Sequence, residues 1–349
     1  MASIACREER PGFRAEEYFP RRLFEAITDV RVDKPESILE EAQNRLRRPR
    51  LTLDGKLVIL ATDHPGRRVT GLGPDDPLGM GNRHSYMARG LRVLTTPGCD
   101  GIMGTTDFME DLLIVNALVR QAGGASLLDD KVLIGCMNRG GHAGVEGEID
   151  DRFTCFTARQ LKNLNFDGGK LMYRLDPEDE RSIKAISDCA QAVTELYREN
   201  LYAFLEPMSV RRKKDGGYET VKTVEELQRD AGAAAALGES SARTFLKLSY
   251  AEGYERVAQA TTLPILMLGG PPREDPSLTL RDFAAGMRAA ANVRGVMVGR
   301  NVAFAPQEDP RAVAAAVCGI VHKGLTAEES LQRLAAERDK EMDLFAQWR

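Results

Sequence analysis

The sequence lacks the long hydrophobic segments and leader patterns that direct a chain into or across a membrane. It has no run of about 18 apolar residues, the length that a transmembrane helix needs. The N-terminus reads Met-Ala-Ser-Ile-Ala-Cys-Arg-Glu-Glu-Arg and has no apolar stretch behind a basic start, so it does not resemble a secretory signal peptide. We therefore expect a cytoplasmic protein that does not contact membranes.

Cysteine and histidine are scarce and scattered, which disfavours disulfide frameworks and zinc sites. The six cysteines form no Cys-x-x-Cys pair, and the four histidines show neither His-x-His nor His-x-x-x-His spacing. In a chain of 349 residues this usage predicts reduced thiols that pack as small buried hydrophobes. His64 and His142 could still converge from separate loops, but we expect neither a metal nor an organic cofactor.

A marked excess of one charge is also missing. Lys and Arg together number 48 and Asp and Glu number 52, for a formal net charge of −4, which argues against a nucleic-acid-binding surface. The basic run at 211–214 is short and is followed by Asp-Gly-Gly, which is typical of a solvated loop; an anion contact is the alternative.

Eight apolar runs of strand length are present, and a helical pattern follows each. They are continuous rather than alternating, as in parallel strands buried on both faces. Eight such units predict a closed (β/α)8 TIM barrel. The alternative is an open doubly wound sheet, for which we would expect the dinucleotide-binding turn Gly-x-Gly-x-x-Gly after the first strand. The first strand instead ends Ala-Thr-Asp-His-Pro-Gly. The runs are Leu57–Ala61, Gly101–Gly104, Val132–Cys136, Lys170–Leu175, Tyr202–Glu206, Phe245–Leu248, Ile265–Leu268 and Gly295–Val298.

Helical additions flank the predicted barrel on both sides. Residues 1–50 contain a charged helix near Pro35–Arg47, which could cap the bottom of the barrel or a partner subunit. Residues 326–349 begin with a capping box formed by Thr326 and Glu329. No long linker separates these parts, so we expect one barrel domain at 51–325 with two additions. The flanking helices suggest a homo-oligomer, although nothing fixes the number of subunits.

Polar residues that end the predicted strands are the candidates for catalysis, because barrel active sites lie at the carboxyl ends of the strands. Lys247 lies inside an apolar run. If it faces inward, desolvation lowers the pKa of its amine, and a neutral amine can attack a carbonyl to form a Schiff base. Lys170 would depress that pKa further by like-charge repulsion. Asp63 and Glu206 could orient substrate hydroxyls or transfer protons.

Each of these residues also has a structural interpretation. Lys247 could face outward between helices, Asp63 could cap a turn, and Glu206 could form an ion pair. Tyr173 has the opposite strand parity to Lys170, so both face the cavity only if the strand bends or one residue sits at the mouth. Packing between barrel and helices is the alternative for Tyr173.

Glycines and an arginine close the seventh and eighth predicted strands. Gly269 and Gly270 follow the seventh, and Gly299 and Arg300 follow the eighth. Backbone N–H groups can approach a phosphate where no Cβ intrudes, and the phosphate site of many barrels lies at these two strands. Plain turn glycines are the alternative. After the third strand, the glycine-rich stretch 140–147 could be a lid that carries Arg139 or His142 to the substrate, or a solvent loop.

As a set, these residues resemble a known superfamily. Asp63-His64, Lys247 within Leu-Lys-Leu, Gly269-Gly270-Pro271 and Val298-Gly299-Arg300-Asn301 are similar to the class I (Schiff-base) aldolases of the deoxyribose-phosphate, tagatose-bisphosphate and archaeal-type fructose-bisphosphate group. The resemblance covers roughly residues 55–305. Within it, the chain resembles an actinobacterial branch of barrel proteins associated with inositol catabolism.

The resemblance implies roles for individual residues. Lys247 would be the Schiff-base lysine, Lys170 would match the fourth-strand lysine of tagatose-bisphosphate aldolases, and Tyr173 would replace the proton-transferring tyrosine of the archaeal-type enzymes. Asp63 would help to position the substrate, and the substrate and phosphate contacts would be His64, Arg139, Gly269, Gly270, Gly299 and Arg300. The second lysine that deoxyribose-phosphate aldolases carry on strand seven is missing here.

The implied activity is cleavage of a phosphorylated ketose or keto-acid sugar to dihydroxyacetone phosphate and an aldehyde. In inositol catabolism the substrate would be 6-phospho-5-dehydro-2-deoxygluconate. The alternatives are fructose or tagatose bisphosphate, a sulfosugar phosphate, or a barrel that binds a sugar phosphate without cleaving it.

Overall fold

Eight parallel strands close into a ring in the computed structural model, which describes residues 12–73, 75–138, 140 and 149–349. The order around the ring is β4-β3-β2-β1-β9-β8-β7-β5, and pairing of β4 with β5 closes it. A short strand, β6, pairs antiparallel with the end of β5 outside the ring. The strands are β1 (Leu57–Thr62), β2 (Gly101–Gly104), β3 (Val132–Cys136), β4 (Gly168–Leu175), β5 (Tyr202–Arg212), β6 (Tyr218–Thr220), β7 (Thr244–Ser249), β8 (Ile265–Leu268) and β9 (Val293–Val298).

Helices follow the strands and surround the ring, which confirms the predicted (β/α)8 barrel over the open sheet. The hairpin β5–β6, which was not predicted, carries the exposed basic run at 211–214. The helices are α1 (Ala15–Tyr18), α2 (Arg21–Asp33), α3 (Ser37–Asn44), α4 (Arg83–Leu94), α5 (Thr106–Gln121), α6 (Ala158–Asn163), α7 (Arg181–Arg198), α8 (Val224–Ala235), α9 (Tyr254–Gln259), α10 (Pro276–Ala289), α11 (Arg300–Ala303), α12 (Pro310–Lys323) and α13 (Ala327–Glu337). In the described ranges no helix has the length and apolar character required to cross a bilayer.

Strand alternation divides the core into two layers. Side chains such as Ile59, Phe204, Phe245 and Leu266 form a buried cluster inside the ring. Their immediate neighbours along the strands face the helices in a second, larger cluster. Because successive strand residues point to opposite faces, the parity of each strand decides which polar residues face the inside of the ring.

The N-terminal addition covers the amino-terminal end of the barrel. α3 packs on α5, and the arginines after α3 reach carboxylates that directly precede two barrel strands. Arg45 binds Asp167 before β4 at 3.0 Å, and Arg48 binds Asp100 before β2 at 2.8 Å. Of the two predicted roles for this segment, the contacts therefore favour capping of the barrel bottom.

A buried ion pair joins α4 to the C-terminal part of the chain. Arg92 is 1% exposed and donates two hydrogen bonds to Asp309, at 2.9 and 2.6 Å. Asp309 also caps α12 by accepting from the backbone N–H of Arg311, and the Arg92 guanidinium lies over the Tyr18 ring. Removing one partner of such a pair leaves an uncompensated buried charge.

We expect Arg92→Met to lower the free energy of unfolding by about 3–5 kcal/mol, because Asp309 would stay buried without its cation. Urea unfolding of the two proteins measures the loss. In the double variant Arg92→Met/Asp309→Asn the charge is removed while a capping acceptor is kept, so it should be more stable than Arg92→Met alone. A double variant less stable than the single one would contradict this explanation.

Candidate active site

A chain of five buried ionisable groups occupies the carboxyl-terminal end of the barrel. Its members alternate in charge: Arg67, Asp63, Lys170, Glu206 and Lys247. Arg67 Nη1 lies 2.9 Å from Asp63 Oδ2, and Lys170 Nζ lies 3.3 Å from the same oxygen. Lys170 Nζ also lies 2.8 Å from Glu206 Oε2, which accepts from Lys247 Nζ at 3.0 Å. The structure thus brings together four of the five predicted catalytic residues and adds Arg67.

Strand parity explains how the sequence builds this cluster. On β7, Phe245 and Lys247 face inward while Leu246 and Leu248 face the helices. The same alternation turns Lys170 on β4 and Glu206 on β5 toward the axis. Asp63 directly follows β1 and continues its inward face. Each polar group stands above an apolar layer of the ring, so water is excluded from below.

Of the two lysines in the cluster, Lys170 is the one whose surroundings stabilise its protonated form. Its side chain is 1% exposed, and burial alone would lower the pKa of its amine. Glu206 and Asp63 lie on either side of it and reverse that effect, so the pKa of Lys170 is raised. In turn, burial would raise the pKa of Asp63, but Lys170 and Arg67 hold it well below its ordinary value.

Lys247 stands at the end of the chain of charges and is the amine that can be neutral. Burial lowers its pKa, and the positive charge of Lys170 lowers it further, although Glu206 opposes the shift. Burial would raise the pKa of Glu206, but Lys170 and Lys247 bring it down to about 2. With Lys247 neutral, two cations balance two carboxylates, so the buried site needs no further charge. A neutral, buried primary amine is a nucleophile for carbonyl carbon.

Tyr173 is not part of this cluster. It belongs to the core layer between barrel and helices, and its nearest titratable neighbours are Asp230 on α8 and Cys189 on α7. Its hydroxyl is buried without a hydrogen-bond partner, and burial raises its pKa. Tyr173 and Lys170 thus face opposite sides of β4, and this placement does not support the implied proton-transfer role of Tyr173.

The predicted phosphate residues lie at the adjoining ends of β8 and β9. Gly270 has φ +75° and open space on its side-chain side, whereas a Cβ at Gly269 would meet the Asn301 side chain. A Cβ at Gly299 would meet His64. Arg300 has a buried Nε without a hydrogen-bond partner and, within the described chain, no carboxylate within ion-pair distance. These positions combine close backbone approach with an unpaired cation.

His64 lies beside the charge chain as a neutral side chain. Its Nδ1 is 3.8 Å from Asp63 Oδ1, and burial lowers its pKa to about 3. Among the described residues neither Asp63 Oδ1 nor His64 Nδ1 has a hydrogen-bond partner. Asp63 Oδ1 can therefore accept a hydrogen bond from a bound molecule, and His64 Nδ1 can accept or donate one. The other two predicted contacts, Arg139 and His142, lie outside the described residues.

Three residues of this region were missed by sequence reasoning. Arg67, four residues after Asp63, lies in a short 3-10 turn (Pro65–Arg67) and completes the charge chain. Asn301 has both amide atoms buried and unpartnered against Gly269. Cys136 faces into the ring, with Sγ 3.8 Å from Asp63 Oδ2. Inward parity on β3 was the one available indication for Cys136. Arg67 lies in a 3-10 turn and Asn301 lies in the short helix α11, and strand parity applies to neither.

Metal ligation is not suggested by the donor set in the described ranges. No group of three or more His, Cys, Asp or Glu side chains there is arranged to hold a metal ion. The two carboxylates at the centre of the site are engaged by ammonium and guanidinium groups instead.

The chain is similar to one protein family over most of its length. The profile of the Cgl0159-like family matches residues 55–318. The crystal structure of Cgl0159 from Corynebacterium glutamicum (Brevibacterium flavum) is 30% identical with a TM-score of 0.81, and the match covers 90% of this chain and all of that one. No curated protein matches the chain.

Solved aldolases share the fold at lower identity. An archaeal fructose 1,6-bisphosphate aldolase is 20% identical with a TM-score of 0.55, covering 82% of this chain and 100% of that chain. A Schiff base-forming fructose-1,6-bisphosphate aldolase is also 20% identical at 0.55, covering 81% and 99%. At these identities the similarity shows a shared (β/α)8 barrel fold and no more.

The electrostatics predict a low-pH onset of reactivity at Lys247. A lowered pKa leaves more of the amine neutral at a given pH, so Lys247 should be acetylated by acetic anhydride at lower pH than the exposed Lys184. Lys170→Met removes the like charge and should shift the Lys247 onset to higher pH. Mass spectrometry of labelled peptides across a pH series measures both. The prediction would be refuted if Lys247 and Lys184 were acetylated to the same extent at every pH.

Proposed function

Because the chain belongs to the Cgl0159-like family and its barrel holds a buried amine of lowered pKa beside a bridging carboxylate, we propose that it is a class I aldolase. The substrate class is a phosphorylated ketose or keto-acid sugar, and the products are dihydroxyacetone phosphate and an aldehyde. The observation that carries the proposal is Lys247, buried on the inner face of β7 with its pKa lowered. Fold similarity to a Schiff base-forming aldolase is consistent with it.

The proposed reaction begins at Nζ of Lys247. The amine attacks the ketone carbon, and loss of water gives a protonated imine. As a base takes the C4 hydroxyl proton, the C3–C4 bond breaks, its electron pair moves into the imine to give an enamine, and C4 leaves as the aldehyde. Protonation of the resulting enamine and hydrolysis of the imine release the three-carbon phosphate and restore the amine. Lys170 keeps its proton throughout, because Glu206 and Asp63 flank it.

Glu206 is the group we assign to proton transfer at Lys247. Its Oε2 is in hydrogen-bond contact with Nζ, within the reach that a general base requires. Its pKa of about 2 reflects the charges of both lysines. When Lys247 loses its proton, one of these charges disappears and the pKa of Glu206 rises, so it becomes a better base at the stage when a base is needed. Asp63 Oδ1, which has no partner, is placed to accept from a substrate hydroxyl.

The proposed phosphate site comprises Gly269, Gly270, Gly299 and Arg300. With Lys247 neutral, Arg300 is the cation that the two central carboxylates leave unbalanced, which suits a doubly negative ligand. Asn301 is a further candidate contact, since both its amide atoms are unpartnered. His64 adds a neutral donor or acceptor next to Gly299.

The finer proposal concerns the sugar. Resemblance to the inositol-associated branch points to 6-phospho-5-dehydro-2-deoxygluconate, which would yield dihydroxyacetone phosphate and malonate semialdehyde. Fructose or tagatose bisphosphate and a sulfosugar phosphate share the phosphorylated half, so the site residues described above do not discriminate among them. A screen read by release of dihydroxyacetone phosphate does.

Trapping with borohydride tests the mechanism. Incubation with dihydroxyacetone phosphate followed by reduction should add one three-carbon phosphate to the protein, mapped to Lys247. Lys247→Ala should lose the adduct and reduce turnover by on the order of 10³-fold or more. The matched control, Lys184→Ala on the outside of α7, should keep both. Absence of an adduct, or an adduct that persists in Lys247→Ala, would remove the aldolase proposal.

Binding of the phosphate is tested at Arg300. Because its guanidinium would contact a group remote from the bond that breaks, Arg300→Gln should raise KM for the phosphorylated substrate by roughly 10- to 100-fold and change kcat less. The exposed Arg229→Gln on α8 is the control. Equal KM values for wild type and Arg300→Gln would show that the phosphate binds elsewhere.

A further inference from the structure

Two cysteines lie side by side at the carboxyl end of β3. Cys136 is the last residue of that strand, and Cys155 belongs to the segment that returns beside it. The backbone N–H of Cys155 donates to the carbonyl of Met137 at 3.1 Å, and that of Phe156 donates to the carbonyl of Cys136 at 3.3 Å. The two thiols are close enough that each is the largest influence on the pKa of the other. A disulfide requires neighbouring backbones of this kind.

The two thiols differ in access. Cys136 is fully buried, and its Sγ lies 3.3 Å from the carbonyl oxygen of Asn138 and 3.8 Å from Asp63 Oδ2. Cys155 is only half-buried. Cys155 is thus the thiol that a small solute reaches first, and Cys136 is shielded from solvent.

The surroundings of Cys155 favour its thiolate. The neighbouring Cys136 is the largest contribution, and Thr154 and Gly140 add to it; together they lower the pKa of Cys155 to about 7, although burial opposes them. The neighbouring Cys155, and after it burial, keep the pKa of Cys136 well above its ordinary value. A half-exposed thiolate next to a protonated thiol is the arrangement in which one sulfur is oxidised and the other resolves it.

We infer that Cys155 is an oxidation site for peroxides and that Cys136 converts the oxidised form into a reversible disulfide. The Cys155 thiolate attacks one peroxide oxygen, the O–O bond breaks, and the leaving oxygen departs as water or an alcohol, which leaves a sulfenic acid. The Cys136 sulfur then attacks the Cys155 sulfur, and the S–OH oxygen leaves as water with the Cys136 proton. The two cysteines lose two electrons and the peroxide gains them.

The disulfide would act on the aldolase site, and this part rests on the proposed function. Cys136 Sγ donates to the same Asp63 oxygen that binds Lys170 and Arg67. Oxidation removes that donor and draws Sγ toward Cys155. We therefore expect oxidised protein to have lower activity, restored by dithiothreitol.

Peptide mapping tests the site without reference to any activity. The full-length protein is treated with hydrogen peroxide, its free thiols are alkylated, and digests are compared with and without dithiothreitol. A Cys136–Cys155 linked peptide, two hydrogens lighter than the reduced pair, supports the inference; reduced peptides or other pairings overturn it. In Cys136→Ser the sulfenic acid on Cys155 should persist and be captured by dimedone, whereas Cys155→Ser should capture none at Cys136.

Activity measurements test the second part of the inference, the effect of the disulfide on the aldolase site. Release of dihydroxyacetone phosphate should fall as the disulfide forms and return on reduction, while Cys155→Ser should keep its own starting activity under peroxide. The buried Cys318→Ser, at the other end of the barrel, should respond as wild type does. A disulfide without loss of activity overturns the link to the active site. Failure of the aldolase proposal would leave the peptide map unchanged, so the two outcomes are separable.

Discussion

The alternation of charge from Arg67 through Asp63, Lys170 and Glu206 to Lys247 is the constraint on which the active end of the barrel depends. Removing five ionisable groups from water is costly unless each has a partner of opposite sign. A line of five groups that starts and ends with a cation has one positive charge too many. The surplus falls on Lys247, because the pKa of the Arg67 guanidinium at the other end is raised and Lys170 has two carboxylates, whereas Lys247 shares one oxygen of Glu206. The lowered pKa of the Lys247 amine agrees with that charge balance.

The barrel could be predicted from the sequence because its strands are buried on both faces. Each of the eight strands therefore appears as an uninterrupted apolar run, and the runs agree with β1–β5 and β7–β9. The hairpin β5–β6 could not be predicted in the same way, since its exposed half has no apolar run. The role of the N-terminal segment was left open because Arg45 and Arg48 find their partners, Asp167 and Asp100, only once the chain has folded.

The active site could be predicted from the sequence where the alternation of side chains along a strand fixes the direction of a charged residue. Lys247, Lys170 and Glu206 lie within or at the end of apolar strands, where a charged residue is conspicuous and its direction follows from its neighbours. Tyr173 shows the limit of family resemblance: the residue type fits an archaeal-type enzyme, but the observed register of β4 turns it toward α7 and α8. Arg67 lies in a 3-10 turn and Asn301 in the short helix α11, and no local sequence pattern predicts contacts that form only when the chain has folded.

Asp63 is the point at which the functions of this region meet. One of its oxygens is shared by Arg67, Lys170 and Cys136, and the other has no partner and is free to meet a ligand. Below it, Ile59, Phe204, Phe245 and Leu266 fill the ring with apolar side chains. In such a low-dielectric setting, a change in any one donor alters the strength of the remaining contacts. A continuous line of contacts runs from Cys136 through Asp63 and Lys170 to Glu206 and the amine of Lys247, and it is the route by which we expect oxidation of Cys136 to affect that amine.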